Sequence, residues 1–206
     1  MTKEENLAGT VRKARLYDDD CLSGGCFSGQ ELEGEDLAGL ELKEVRLSGC
    51  RFRDCDLTGV SFYSCILENC AFEHCRFSDS YWKSTEMKGC KADGGDFRSS
   101  RVKECWWTDN LLRYTNFSDS RWERATLERC DFQESALSDL RLRGTILHQV
   151  DLSRTELFRA VLRGTDLSQC AIDGIIVSEN CAELRGAKIS AYQASVVARL
   201  LGIQVI

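Results

Sequence analysis

Twelve cysteines and two histidines are the residues in this sequence whose types could do chemistry. They could hold a metal, close disulfides or act as nucleophiles. Their spacing argues against each of these. There is no C-x-x-C pair, and His74 and His148 stand alone. Nine of the cysteines fall at multiples of five residues from one another, and the other three keep the same interval among themselves, which is a structural interval and not a metal-ligand one. Disulfide-rich chains are usually short and exported. The start MTKEENLAGT carries neither a basic nor an apolar signal region, so the chain reads as cytoplasmic with reduced thiols. No apolar stretch approaches the ~18 residues of a membrane span. Twelve of the 16 glycines obey the same interval of five and none builds a phosphate loop, and the carboxylates are scattered and outward. The expectation is a protein with no catalytic, cofactor-binding or metal-binding residues, and not an enzyme.

The interval itself is the dominant signal. Every fifth residue from Leu7 to Ala182 gives 36 positions, of which 35 are apolar and 25 are Leu or Phe. With 43% apolar residues overall, chance would give about 15. A period of five fits neither a free helix nor a flat strand. It fits a chain that turns a corner every five residues, with four sides making a 20-residue coil. The expected fold is an all-β solenoid, a right-handed quadrilateral β-helix of about nine coils over residues 1–187. A C-terminal helix and short strand over 188–206 follow it.

Position by position, the interval absorbs the unusual composition. Two residues before each central side chain the coil needs a small inward group, and nine cysteines stand there: Cys50, Cys55, Cys65, Cys70, Cys75, Cys90, Cys105, Cys130 and Cys170. Cysteine is used as a small hydrophobe. Cys21, Cys26 and Cys181 come one residue before a centre and should point outward, as should Trp106. Two residues after each centre lies a corner, often Gly, where positive φ is needed. The absence of proline fits a fold that uses nearly every backbone N–H. Trp82, Val102 and Trp122 share one face by the 20-residue count. Large–small–large packing is the expected reading there, with a recognition bulge near 80–122 as the alternative.

Charge is uneven. The formal net charge is −6, and residues 1–100 carry the whole acidic excess. Such a chain is not expected to bind nucleic acid directly by neutralising phosphates. A protein that itself holds nucleic acid is a more fitting partner. The candidate acidic partner-binding face comprises Asp18, Asp19, Asp20, Glu31, Glu33, Glu35, Asp36, Glu41 and Glu44, with Asp54 and Asp56 at its end. A solvated surface that keeps a stacked rod soluble is the competing reading.

Beyond the repeat, Ile189, Tyr192, Val196, Leu200 and Ile203 recur at helical spacing. Ser190 and Gln193 make a capping box, Gly202 a helix stop, and Ile203–Ile206 reads as a short apolar strand. A solenoid end must be covered. This tail is more apolar than a plain cap requires, so it reads as a homodimer interface of Tyr192, Val196, Val197, Leu200, Leu201, Ile203, Val205 and Ile206.

Stretches such as CDLTG (55–59), VDLSR (150–154) and TDLSQ (165–169) resemble the A(D/N)LXX pattern of pentapeptide-repeat proteins. The tail RGAKISAYQASVVARLLGIQVI (185–206) and the segment MKGCKADGGDFRSS (87–100) resemble the Qnr-type quinolone-resistance members. That resemblance implies C-terminal dimers that bind the type II topoisomerases DNA gyrase and topoisomerase IV. It also implies imitation of duplex DNA and protection from fluoroquinolones. The loops of the loop-bearing members are missing, so this chain looks like a loopless member and no loop residues carry over. Nine coils at roughly 4.8 Å make a rod of about 43 Å, where duplex DNA would hold about 25 charges. Any mimicry must therefore be local. A general protein-interaction scaffold is the other functional expectation.

Overall fold

The computed structural model describes residues 6–17 and 20–206. Its body is a four-sided stack of parallel strands, and every rung pairs with the residue 20 positions on. The first face is a seven-stranded sheet running from Cys21–Ser23 to Arg141–Arg143, extended by the bridge Arg141–Val161. A second seven-stranded sheet runs from Cys26–Ser28 to Ile146–His148. The third face begins as three strands, Glu31–Glu33, Arg51–Arg53 and Ala71–Glu73, and continues as single bridges to Ala171. The fourth face is single bridges throughout, from Asp36 to Ile176. The first face thus stacks eight levels.

Corners follow the rule read from the interval. From Gly24 to Gly164 the residues two after each centre have positive φ, and many are not glycine: Asp54 (53°), His74 (54°), Tyr114 (60°) and Arg159 (59°) among them. Each costs of the order of 1–2 kcal/mol. The backbone bonds between levels offset this, as in Arg46 N–H to Gly25 O (2.9 Å) and Ile66 N–H to Val45 O (3.0 Å). At Gly89 the glycine is needed twice over. Its φ is +63°, and a Cβ would stand 2.5 Å from Asn69 Oδ1 on the level before.

Inside, the central side chains stack from level to level. Phe77 and Phe97 lie 4.6 Å apart and nearly parallel, and Phe97 and Phe117 4.4 Å apart. Phe62 stacks on Trp82 at 4.1 Å. Trp82, Trp107 and Trp122 are all buried with Val102 between two of them, so residues 80–122 pack by complementary volumes without bulging. The small inward positions hold the nine cysteines, all buried. Seven of their thiols donate to carbonyls of the previous coil, as Cys65 does to Leu42 O at 3.2 Å, while Cys70 and Cys105 donate to the carbonyl two residues before them. Where Ser, Thr or Asn replaces Cys, polar ladders form. Asn110 Nδ2 donates to Met87 O (2.9 Å), and its Oδ1 accepts from Cys90 N–H (2.8 Å). Burial without a hydrogen-bonded partner would be costly there.

Two ends depart from the expectation. The repeat does not begin at Leu7. Residues Leu7–Leu16 form helix α1, capped by Asn6, whose side chain accepts from Gly9 N–H. A first coil would have turned Arg12 inward, and an unpaired buried guanidinium is prohibitively expensive. The helix buries Leu7, Val11 and Ala14 over the first coil instead, leaving Arg12 free to meet Glu35 at 2.7 Å. The stack therefore has eight levels, not nine.

At the other end the phase slips. Lys188 bridges to Asp166, 22 residues before it, after a 3-10 turn at Ala182–Leu184. Cys181, expected outside, takes a left-handed conformation and is buried. Cys26 is exposed and Cys21 half-buried, as their positions imply. Helix α2, Ala194–Leu200, closes the stack. Residues Ile203–Ile206 form no strand. A strand needs a partner edge, and a single chain offers none there.

Candidate functional site

No group of three or more His, Cys, Asp or Glu among the described residues is arranged to hold a metal ion. No described helix is long and apolar enough to cross a membrane. His74 lies exposed at a corner beside Asp54, 3.3 Å away. Burial pushes the thiols of Cys105, Cys130 and Cys170 up to about 11, which keeps them protonated and poorly nucleophilic. What the molecule offers is surface, and two regions of it carry the residues expected from the sequence to bind partners.

The first is the C-terminal tail. Gln193 anchors it: its buried amide donates to Leu167 O (2.8 Å) and Cys170 O (2.7 Å). Ser190 and Gln193 exchange the reciprocal bonds of a capping box, Ser190 N–H to Gln193 Oε1 at 2.7 Å and Gln193 N–H to Ser190 Oγ at 3.3 Å. The helix ends in a Schellman turn at Gly202, with Ile203 N–H bonded to Ala198 O. Val196, Val197 and Leu200 pack down on the solenoid core. Tyr192, Leu201, Ile203, Val205 and Ile206 are exposed, Ile206 fully. The eight expected interface residues thus divide: three serve the cap, and five form an apolar surface open to solvent.

The second region is acidic. Asp18 and Asp19 lie outside the described residues. The others gather at one end of the rod but on different sides of it. Glu31 and Glu33 flank Leu32 on the third face, Glu41 lies on the first, Glu44 at a corner, and Asp36 on the fourth. They form a collar, not a face, because successive pentapeptides point in four directions. Several are already engaged: Asp20 with Arg15 (2.5 Å), Glu35 with Arg12, and Glu41 with Lys43 (2.5 Å). On the third face Arg51 and Arg53 follow Glu31 and Glu33 in register, and both reach Glu73.

Down the corners, cations answer anions one level away. Arg124 meets Glu104 (2.6 Å), Arg129 meets Asp109 (2.6 Å), Arg154 meets Glu134 (2.8 Å) and Arg159 meets Asp139 (2.5 Å). The Arg159 guanidinium holds the Asp139 carboxyl below its ordinary range, as Arg124 does for Glu104. One grouping was not singled out from the sequence. Lys83, Arg101, Lys103, Arg121, Arg141, Arg143 and Arg163 all fall on the first face. Sorting the sequence by 20 instead of by five would have exposed it.

Two family profiles match the chain. One describes a pentapeptide repeat region and covers residues 60–135; the other describes pentapeptide repeats in eight copies and covers 27–59 and 135–171. A search of curated proteins finds no match. Among solved structures, the chain is similar to a trypsin-treated form of QnrB1, a plasmid-mediated fluoroquinolone resistance protein. The identity is 23%, over 89% of this chain and 91% of that one, with a TM-score of 0.47. Full-length QnrB1 matches at 21% identity over 87% and 100%, with a TM-score of 0.42. HetL is a pentapeptide repeat protein involved in heterocyst differentiation regulation, from the cyanobacterium Nostoc sp. strain PCC 7120. It matches at 16% identity over 88% and 96%, with a TM-score of 0.36. Stacked coils with a 20-residue register, matched by repeat profiles without a gap from residue 27 to 171, place this chain in the pentapeptide-repeat family.

Proposed function

We propose that this protein is a non-enzymatic binding rod that dimerises through its C-terminus and binds a type II topoisomerase, DNA gyrase or topoisomerase IV. In this reading its acidic collars stand in for part of the DNA, and occupancy protects the enzyme from fluoroquinolones. The observation that carries it is the tail. Five apolar side chains, Tyr192 before helix α2 and Leu201, Ile203, Val205 and Ile206 after it, stand exposed on a tail that Gln193 fixes to the stack. Exposed apolar side chains concentrated in one segment are the mark of an interface, and the segment bearing them resembles the ending of the Qnr-type proteins. A twofold dimer there buries the tail, gives Ile203–Ile206 a partner strand, and places the two acidic collars at the far ends.

The alternative is a general protein-interaction scaffold with another partner. A titration of the protein into a gyrase supercoiling reaction, with and without ciprofloxacin, separates the two. The expected result is concentration-dependent inhibition without drug, or restored supercoiling with it. No effect in either arm, together with no binding to gyrase, would leave only the scaffold. The dimer has its own test. Leu201→Lys with Ile203→Lys is expected to convert the dimer to a monomer by light scattering, with melting of the stack unchanged, because neither side chain faces the core. A dimer that survives this pair would remove the tail from the interface.

A further inference from the structure

The first face carries a charge pattern that folding does not explain. Arg101, Arg121 and Arg141 occupy one row, each the direct register partner of the next. All three are exposed. Lys83 pairs with Lys103 in the parallel row beside it, which continues through Glu123 to Arg143. Arg163 follows at the next level by period. Like charges placed directly opposite on neighbouring strands are destabilising, and neighbouring levels are only about 4.8 Å apart. At several corners of this rod the stack sets acid against base from one level to the next. Here it sets base against base at Lys83–Lys103, Arg101–Arg121 and Arg121–Arg141.

Nearby carboxylates do not cancel the pattern. Arg124 takes both Glu104 and Glu123 (2.6 and 2.5 Å), and Arg159 takes Asp139. Arg143 reaches Glu123 only at 3.9 Å. Among the described residues, no carboxylate oxygen lies within 4.0 Å of a side-chain nitrogen of Lys83, Arg101, Lys103, Arg121, Arg141 or Arg163. Asp79 and Asp119 remain along the edge. They border a shallow groove of about 280 Å³ with Ser99, Asp139 and the three arginines. The expectation that the acidic net charge excludes nucleic acid averaged over four faces that the structure separates.

We propose that this face binds the phosphate backbone of duplex DNA, without sequence selectivity. Three features choose this occupant. The cations are mostly arginines, whose forked guanidinium suits phosphate oxygens. Together they span five levels, roughly 19 Å, a length over which a duplex presents about 11 charges. The basic part of the face also lacks the buried aromatic or aliphatic anchors of protein interfaces, and it has no row of aromatics on which unstacked bases could lie. Tyr63 and Tyr81 sit only at its N-terminal edge, packed edge-on against one another. The inference stands apart from topoisomerase binding and is read by a different assay.

The test is fluorescence anisotropy of a labelled duplex of about 20 bp, with the wild-type protein, from about 50 to 300 mM KCl. Binding is expected to weaken with a log–log salt slope near 5, for five to six phosphates engaged. Replacing the exposed row, Arg101→Glu with Arg121→Glu and Arg141→Glu, is expected to cost at least tenfold in affinity at about 50 mM salt and to lower the slope by about 3. Lys91→Glu on the third face, compared with Arg121→Glu alone, is the control of equal charge change and should stay within about threefold of wild type. Circular dichroism melting establishes that the variants fold. Absence of binding by the wild type, or equal binding by the row variant, overturns the assignment. Tighter binding to single-stranded DNA, or to poly-glutamate of equal charge, also overturns it, in favour of that occupant.

Discussion

Phe97→Ala is expected to lower the unfolding free energy by about 3–5 kcal/mol. The ring is 1% exposed and lies between Phe77 and Phe117, with interplanar angles of 2° and 7°. Each stacked contact adds about 0.5–1.5 kcal/mol beyond the area it buries. The surrounding backbone cannot collapse into the void, because bonds such as Phe97 N–H to Asn116 O (2.7 Å) hold the levels apart. A solenoid coil contacts only its neighbours, so the damage stays local and the two halves of the rod begin to unfold separately. Denaturant titration followed by circular dichroism and tryptophan fluorescence should show a broadened or split transition. Trp82, Trp107 and Trp122 report on the centre of the rod. A single sharp transition with a loss under about 1 kcal/mol would mean that the aromatic column is not continuous.

Gln193→Ala is expected to cost about 3 kcal/mol, concentrated at the C-terminal end. The side chain is 5% exposed and joins the last coils to the tail. Without it, Cys170 O and Ser190 N–H lose their partners beneath the helix. Leu167 O keeps only its turn bond from Cys170 N–H. Hydrogen exchange should quicken over residues 165–206 while the aromatic centre keeps its protection, and the melting midpoint should fall by roughly 6–12 °C. Gln193→Glu should do no better, since it sets a carboxylate against two carbonyls. Unchanged exchange in this segment would show that α2 is held by Val196, Val197 and Leu200 alone.

Much of this structure was written in the sequence because a five-residue period leaves each position one environment. Leu or Phe at the centre, Cys two before it and a left-handed corner two after it follow from one geometric rule. The same rule places Trp106 outside and Trp82 inside. The capping box at Ser190 and the stop at Gly202 were equally legible, since both depend on contacts within four or five residues. The rule fails where the chain stops stacking on both sides. Leu7 and Tyr17 keep the phase of the repeat, yet the segment coils into α1, because an end coil must seal the core and Arg12 cannot go inside it. The slip before Lys188 and the burial of Cys181 come from the same need to close an open end.

The sequence by itself determined the periodic interior, the corners and the local signals of the tail, all set by near neighbours along the chain or by the 20-residue repeat. Tertiary structure alone decided how the charges are shared among four faces. Residues adjacent in sequence point to different sides, so an acidic run became a collar, and arginines 20 residues apart became a continuous basic row. Electrostatic potential depends on distance in space, and the net charge of the chain carries no record of which side each charge will face.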